Sequence, residues 1–299
     1  LPEHSDVIID AHQHIWDKSR ADYPWLTQEL APVDRVFTFD ELRPQLDACD
    51  VTATVLVQSA DNLEDTELML ACAADEPRVA GVVGWVPLDQ PDRTAELLER
   101  WASTPVVRGI RNLIHDRPDP RWLFRDDVRE GLALLERSGL TFDVVAVLPD
   151  HLEAVLDLSE RYPDLPLVID HLGHPPIDLD GPPDGSEPWW DLFAATAANP
   201  RVRAKVSGLY PTGDGTAAQR TEEVRRVVDH AFTHFGADRL MYGGDWPISV
   251  LHGGYGITWD SLRPLFDGLT PAERTAVLAG TATAFYGLDP QRVAAAHAD

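Results

Sequence analysis

Residues 10–16 read DAHQHIW, and the two histidines in that stretch are of a type and spacing that could do chemistry together. On a β-strand the side chains alternate with a period of two, so His12 and His14 point to one face and converge on one spot. Two imidazoles held side by side form a metal-binding pair, and without a metal they serve as hydrogen-bonding groups and proton carriers near neutral pH. A short His-x-His is also common as a pair of partly exposed strand-end histidines, so position along the chain must decide. Further ionisable residues follow apolar runs in the same way. They are Arg111 with His115 beyond it in GIRNLIHD, His171 with His174 in VIDHLGHP, Lys205 and Ser207 in AKVSGLY, and Asp245 in YGGDWP.

The runs that carry these residues are β-branched and apolar, and each gives way to a segment with helical periodicity. Strands are expected over Val7–Ile15, Val51–Ser59, Val79–Leu88, Val106–Ile114, Leu140–Val147, Leu165–Leu172, Val202–Leu209 and Arg239–Trp246. Helical patterns such as NLEDTELMLACAADEP, VREGLALLERSG and TEEVRRVVDHAFTHFG follow, the last two closing on a glycine as helix C-termini often do. Eight rounds of strand then helix, with no break in composition, predict a closed parallel (β/α)8 TIM barrel in a single domain over residues 1–299. In that fold active sites sit at the C-terminal ends of the strands, where all of the ionisable residues above fall. Two long loops rich in Pro and Gly, HPPIDLDGPPDGSEPWW and PISVLHGGYGITW, follow the sixth and eighth strands and are expected to shape the mouth.

Composition narrows the partners. The chain is 44% hydrophobic and 25% charged, as folded water-soluble proteins are. No run approaches the roughly 18 apolar residues that a membrane span needs. A formal charge of −25 opposes nucleic acid and anionic membranes, whose binding requires basic stripes. The two cysteines, Cys49 and Cys72, make a disulfide framework implausible, and no basic segment leads into an apolar stretch at the start. A cytoplasmic protein acting on a small molecule is therefore expected.

Several stretches together, IIDAHQHIWD, GVVGWVPLDQPD, LVIDHLGHPPI, AKVSGLY, DRLMYGGDWP and LTPAERTAVLAGTATAFYGL, resemble the amidohydrolase superfamily, and within it the sugar-lactonase branch of the fuconolactonase and rhamnonolactonase kind. The resemblance spans nearly the whole chain. It implies a metal-optional lactone hydrolase whose site is lined by His12, His14, Arg111, His171 and Asp245. A dinuclear centre of this superfamily uses a bridging carboxylate, commonly a carbamylated Lys on strand four, and a His on strand five; VVRGIRNLI has no Lys and LTFDVVAV no His. At most one divalent ion, zinc, is then expected on His12, His14, His171 and Asp245, and no cofactor is obligatory. In the expected scheme Asp245 takes a proton from water while the histidines and Arg111 face the carbonyl oxygen of a sugar-derived lactone. His115, His151, His174, Lys205, Trp246 and His252 are the candidate substrate contacts, with barrel packing as the other reading of Trp246 and solvated loops that of His174 and His252. The chain departs from the family's pattern in VAVLPDHLEA after strand five and in His174 where a Lys is usual. Lactones of aromatic degradation, of the pyrone dicarboxylate or muconolactone type, and metal-dependent decarboxylation are the alternative chemistries.

Overall fold

Eight short, buried segments rich in Val, Ile, Leu and Ala pair in sequence order, each parallel to the next, in a computed structural model that describes residues 7–177, 187–211 and 215–296. The strands are β1 (Ile9–Gln13), β2 (Ala53–Val57), β3 (Val79–Gly84), β4 (Val107–Asn112), β5 (Thr141–Val144), β6 (Leu167–Ile169), β7 (Val202–Val206) and β8 (Leu240–Tyr242). After them come α1 (Phe39–Ala48), α2 (Leu63–Asp75), α3 (Pro91–Ala102), α4 (Asp126–Ser138), α5 (Pro149–Arg161), α6 (Pro188–Ala197), α7 (Ala217–Phe235) and α8 (Tyr255–Asp267). This is the expected (β/α)8 barrel. Local sequence explains the helix boundaries: Asn62 caps α2, Thr216 and Gln219 form a capping box on α7, and proline opens α3, α5 and α6. Gly139 ends α4 in the left-handed conformation that lacks a steric cost only in glycine.

Two backbone hydrogen bonds close the barrel, from His14 N to Trp246 O (2.7 Å) and from Asp245 N to His12 O (2.8 Å). The seam between first and last strands therefore lies at the mouth. A C-terminal segment, α9 (Pro271–Thr275), a π-turn over Ala276–Gly280 and α10 (Thr281–Tyr286), follows α8. Its Ala279, Ala282 and Tyr286 pack with the inward residues Ile9, Ala11, Val55, Val168 and Met241. Both cysteines are free thiols, and among the described residues no helix is long and apolar enough to cross a membrane. Part of the expected loop after strand six, residues 178–186, lies outside the described residues.

Candidate active site

The site begins with an irregularity in β1. Its register against β2 slips between Asp10 and Gln13, and these two residues, three apart, are bonded to each other on one side of the strand. Asp10 accepts from Tyr255 OH of α8 (2.7 Å), Gly244 N (2.9 Å) and His12 N (3.0 Å), tying β1 to β8 and to the helix outside. His12 and His14 are left on the opposite side, ring centroids 4.9 Å apart and edge to face. Convergence of the pair, expected from a regular strand, is thus reached through a slipped one. Across the seam, the glycines of GGD have a steric purpose: a Cβ on Gly243 would stand 2.7 Å from the Cβ of His12. Asp245 follows with φ at +50°, a left-handed conformation that aspartate tolerates better than most residues.

Strand β6 ends in a tighter turn. His171, Leu172, Gly173 and His174 all have positive φ, and the non-glycine residues in such a run cost roughly 1–2 kcal/mol each. Strain of this kind persists only where the surroundings hold it, and here Gly208 makes room: a Cβ at that position would lie 2.6 Å from Cγ of His171. His171 Nδ1 meets Ser207 Oγ at 2.9 Å, and its ring packs on that of His12 at 4.5 Å. On β4, Arg111 donates from Nε to the backbone and side-chain oxygens of Gln58 (3.1 Å each) and from Nη1 to Asp170 (3.0 Å).

Asp245 is where these groups meet. Its Oδ1 lies 3.2 Å from His14 Nε2 and 3.7 Å from His12 Nε2, and its Oδ2 accepts from Tyr210 OH at 2.6 Å. Burial opposes its charge, but the neighbouring imidazoles, His171 foremost, and the bond with His14 hold its carboxyl well below the usual range. Burial pushes His171 down to about 4 and, reinforced by the nearby Lys205 ammonium, pushes His12 well below its ordinary value. At neutral pH the arrangement is a carboxylate beside the neutral, desolvated imidazoles of His12 and His171. One ligand atom each from His12, His171 and Asp245 lies within 4.8 Å of the others, and all three residues are buried. Nitrogen and carboxylate donors so disposed suit a single zinc ion. His14, expected as a fourth ligand, stands outside that tight group.

A cavity of about 440 Å³ opens above this centre, with His14, Arg111, His171 and Asp245 in its floor and His115, His174, Tyr210, Trp16, Trp25 and Ile248 among its walls. His12 lies beneath this floor, so it reaches a bound molecule through its neighbours rather than by facing it. Of the expected substrate contacts, His115 and His174 line the cavity and the others do not. Lys205 is fully buried under His12, where its ammonium is needed by two aspartates. Trp246 is buried edge-on against Phe37. His151 caps α5, its Nδ1 accepting from Val147 N and Leu148 N. His252 is exposed and stacks on the ring of Tyr210 at 4.0 Å. Tyr210, Gln58 and the Trp16–Trp25 pair were not anticipated as site residues; Tyr210 closes the very stretch AKVSGLY, and the polar Gln58 at the end of β2 was the readable signal for the other.

Fold and site together define a class: a (β/α)8 barrel with a histidine–carboxylate centre at its strand ends. The chain belongs to the amidohydrolase family, whose model matches residues 9–288. It is 37% identical over 289 residues to an L-fucono-1,5-lactonase of Burkholderia ambifaria, covering 94% of this chain and 96% of that one. A second L-fucono-1,5-lactonase, of Burkholderia multivorans, is 33% identical over 290 residues, with the same coverage. Among solved structures, an amidohydrolase from Burkholderia multivorans with bound HEPES superposes with a TM-score of 0.85 at 32% identity, over 95% of this chain and all of that one. A crystal structure described as that amidohydrolase with bound zinc gives 0.84, again at 32% identity and over 95% of this chain and all of that one.

Proposed function

We propose that the protein hydrolyses a sugar-derived aldonolactone to its open-chain acid. The observation that carries this reading is Asp245: an ionised carboxylate in the floor of a cavity, with Tyr210 OH donating to one oxygen and His14 Nε2 3.2 Å from the other. The Tyr210 bond occupies one of its roughly four lone-pair positions, so the remainder can hold and orient a water molecule. The names of the curated relatives support the same substrate class.

In this reading Asp245 accepts the proton of water as the oxygen attacks the lactone carbonyl, and His14 Nε2, 3.2 Å away, steadies the carboxyl as its charge changes. His171 and Arg111 stand on the same floor, where negative charge would develop on the carbonyl oxygen. A preorganised donor at that place is typically worth about 3 kcal/mol. An ester expels an alcohol more readily than an amide expels an amine, so such donors suffice for opening the ring. A zinc ion held by His12, His171 and Asp245 would add Lewis acidity at that carbonyl.

Charge favours a neutral lactone over the anionic pyrone dicarboxylate type. Among the described residues Arg111 is the cation in the cavity floor and already faces Asp170; Arg117 is paired with Asp61 at 2.7 Å and Lys205 is buried. The test is a panel of L-fucono-1,5-lactone, an L-rhamnono-lactone and a pyrone dicarboxylate, followed by proton release. Rapid opening of at least one neutral aldonolactone is expected. Proton release from the dicarboxylate alone, or release of carbon dioxide from an aromatic acid instead, would overturn the reading.

A further inference from the structure

The buried Lys205 has no part in the reaction as described, yet its ammonium lies directly under His12. Its Nζ is 2.6 Å from Asp143 Oδ2, 3.1 Å from Asp170 Oδ1 and 3.0 Å from His12 Nδ1, with all four side chains fully buried. Asp143 is held in turn by Tyr286 OH at 2.7 Å. An ammonium has three hydrogens and no lone pair, so three close partners must all act as acceptors. His12 Nδ1 is one of them.

We infer that Lys205 is a positioning residue that pins His12 in the tautomer with its proton on Nε2, the nitrogen turned towards Asp245. The competing arrangement would have Nδ1–H donate to Asp170 Oδ1 at 3.4 Å while Nε2 accepts from Arg111 Nη1, also at 3.4 Å. It gains two long contacts at the expense of setting an N–H against an ammonium hydrogen at 3.0 Å. Lys205 cannot withdraw, because two carboxylates hold it from other directions. The short contact therefore decides.

His14 provides the contrast. Its Nδ1 meets the carbonyl oxygen of Val57 at 2.8 Å and must donate there. The two imidazoles of one His-x-His are thus set by different means: a carbonyl claims the Nδ1 proton of His14, and an ammonium denies one to Nδ1 of His12. This inference does not depend on which ester is the substrate.

The experiment is nitrogen NMR on chelator-treated protein labelled with ¹⁵N-histidine, in which long-range proton–nitrogen correlations distinguish the two neutral tautomers from the imidazolium; His12→Gln assigns the signals. His12 is expected with a protonated Nε2 and a bare Nδ1. A protonated Nδ1, alone or together with Nε2, would overturn the inference. The same measurement on Lys205→Met combined with Asp143→Asn, which removes the carboxylate otherwise left unpaired, should exchange the two nitrogen shifts as Nδ1–H turns to Asp170. A variant that folds and retains the Nε2–H form would show that Lys205 does not set the tautomer. If that variant does not fold, the unmodified protein still decides.

Discussion

At the scale of single residues, the site is a question of which nitrogen or oxygen faces which. Asp245→Asn preserves shape and both bracing contacts in part, but removes the ability to accept a proton. Its kcat for the lactone should fall on the order of 10²-fold or more with KM little changed. Near wild-type turnover in steady-state assays would transfer the role of base to His171 or Asp170. The ionisation states make a second prediction. Because Asp245, the proton acceptor, is held below the usual carboxylate range, turnover should be level from pH 7.5 to about 5. An acid limb centred near 6.5 in the pH–rate profile would mean that a solvated histidine governs the reaction. Stability is a poorer reporter over that range. His12 and His171, depressed from 6.5, withdraw stability as pH falls through it, whereas Asp10, raised from 3.8 to about 7 by burial, and Asp143, likewise raised to about 6, add stability on the same descent. Sequence made the identities of His12, His14, Arg111, His171 and Asp245 legible because each ends an apolar run. It could not reveal that Lys205 lies beneath the floor, since burial of a lysine depends on two aspartates brought from other strands.

At the scale of elements, the eight strands and the helices after them follow from periodicity, while their ends do not. The strand expected over Leu165–Leu172 stops at Ile169 and the one over Arg239–Trp246 stops at Tyr242, because the chain turns left-handed at His171 and at Asp245. Nothing in the residue types of DHLG, other than its glycine, announces that turn; it is sustained by contacts from the next strand. Gly208 is the contact that can be tested. Gly208→Ala places a Cβ against the His171 ring at a residue whose own φ is +58°, so a loss of about 2 kcal/mol or more is expected in urea unfolding, with kcat reduced as the imidazole is displaced. An alanine variant as stable and as active as the parent would show that the turn has slack.

For the whole molecule, the dominant quantity is charge. With Asp and Glu numbering 50 against 25 Lys and Arg, like charges crowd a single barrel, and screening should relieve them. Tm is expected to rise by a few degrees between 20 mM and 500 mM sodium chloride; a fall would mean that the many surface arginine pairs outweigh the net repulsion. The barrel's closure carries a different consequence. His14 and Asp245 are 231 positions apart, and the bonds that join β1 to β8 run through these two residues of the cavity floor. A nascent or refolding chain can therefore acquire most of its helices while remaining chemically inert, because His12 and His14 meet Asp245 only when the first strand finds the last. Contacts of such separation form late. In refolding from urea, regained turnover should lag behind regained ellipticity, so that the enzyme's own reaction becomes the clock for the final step of its assembly.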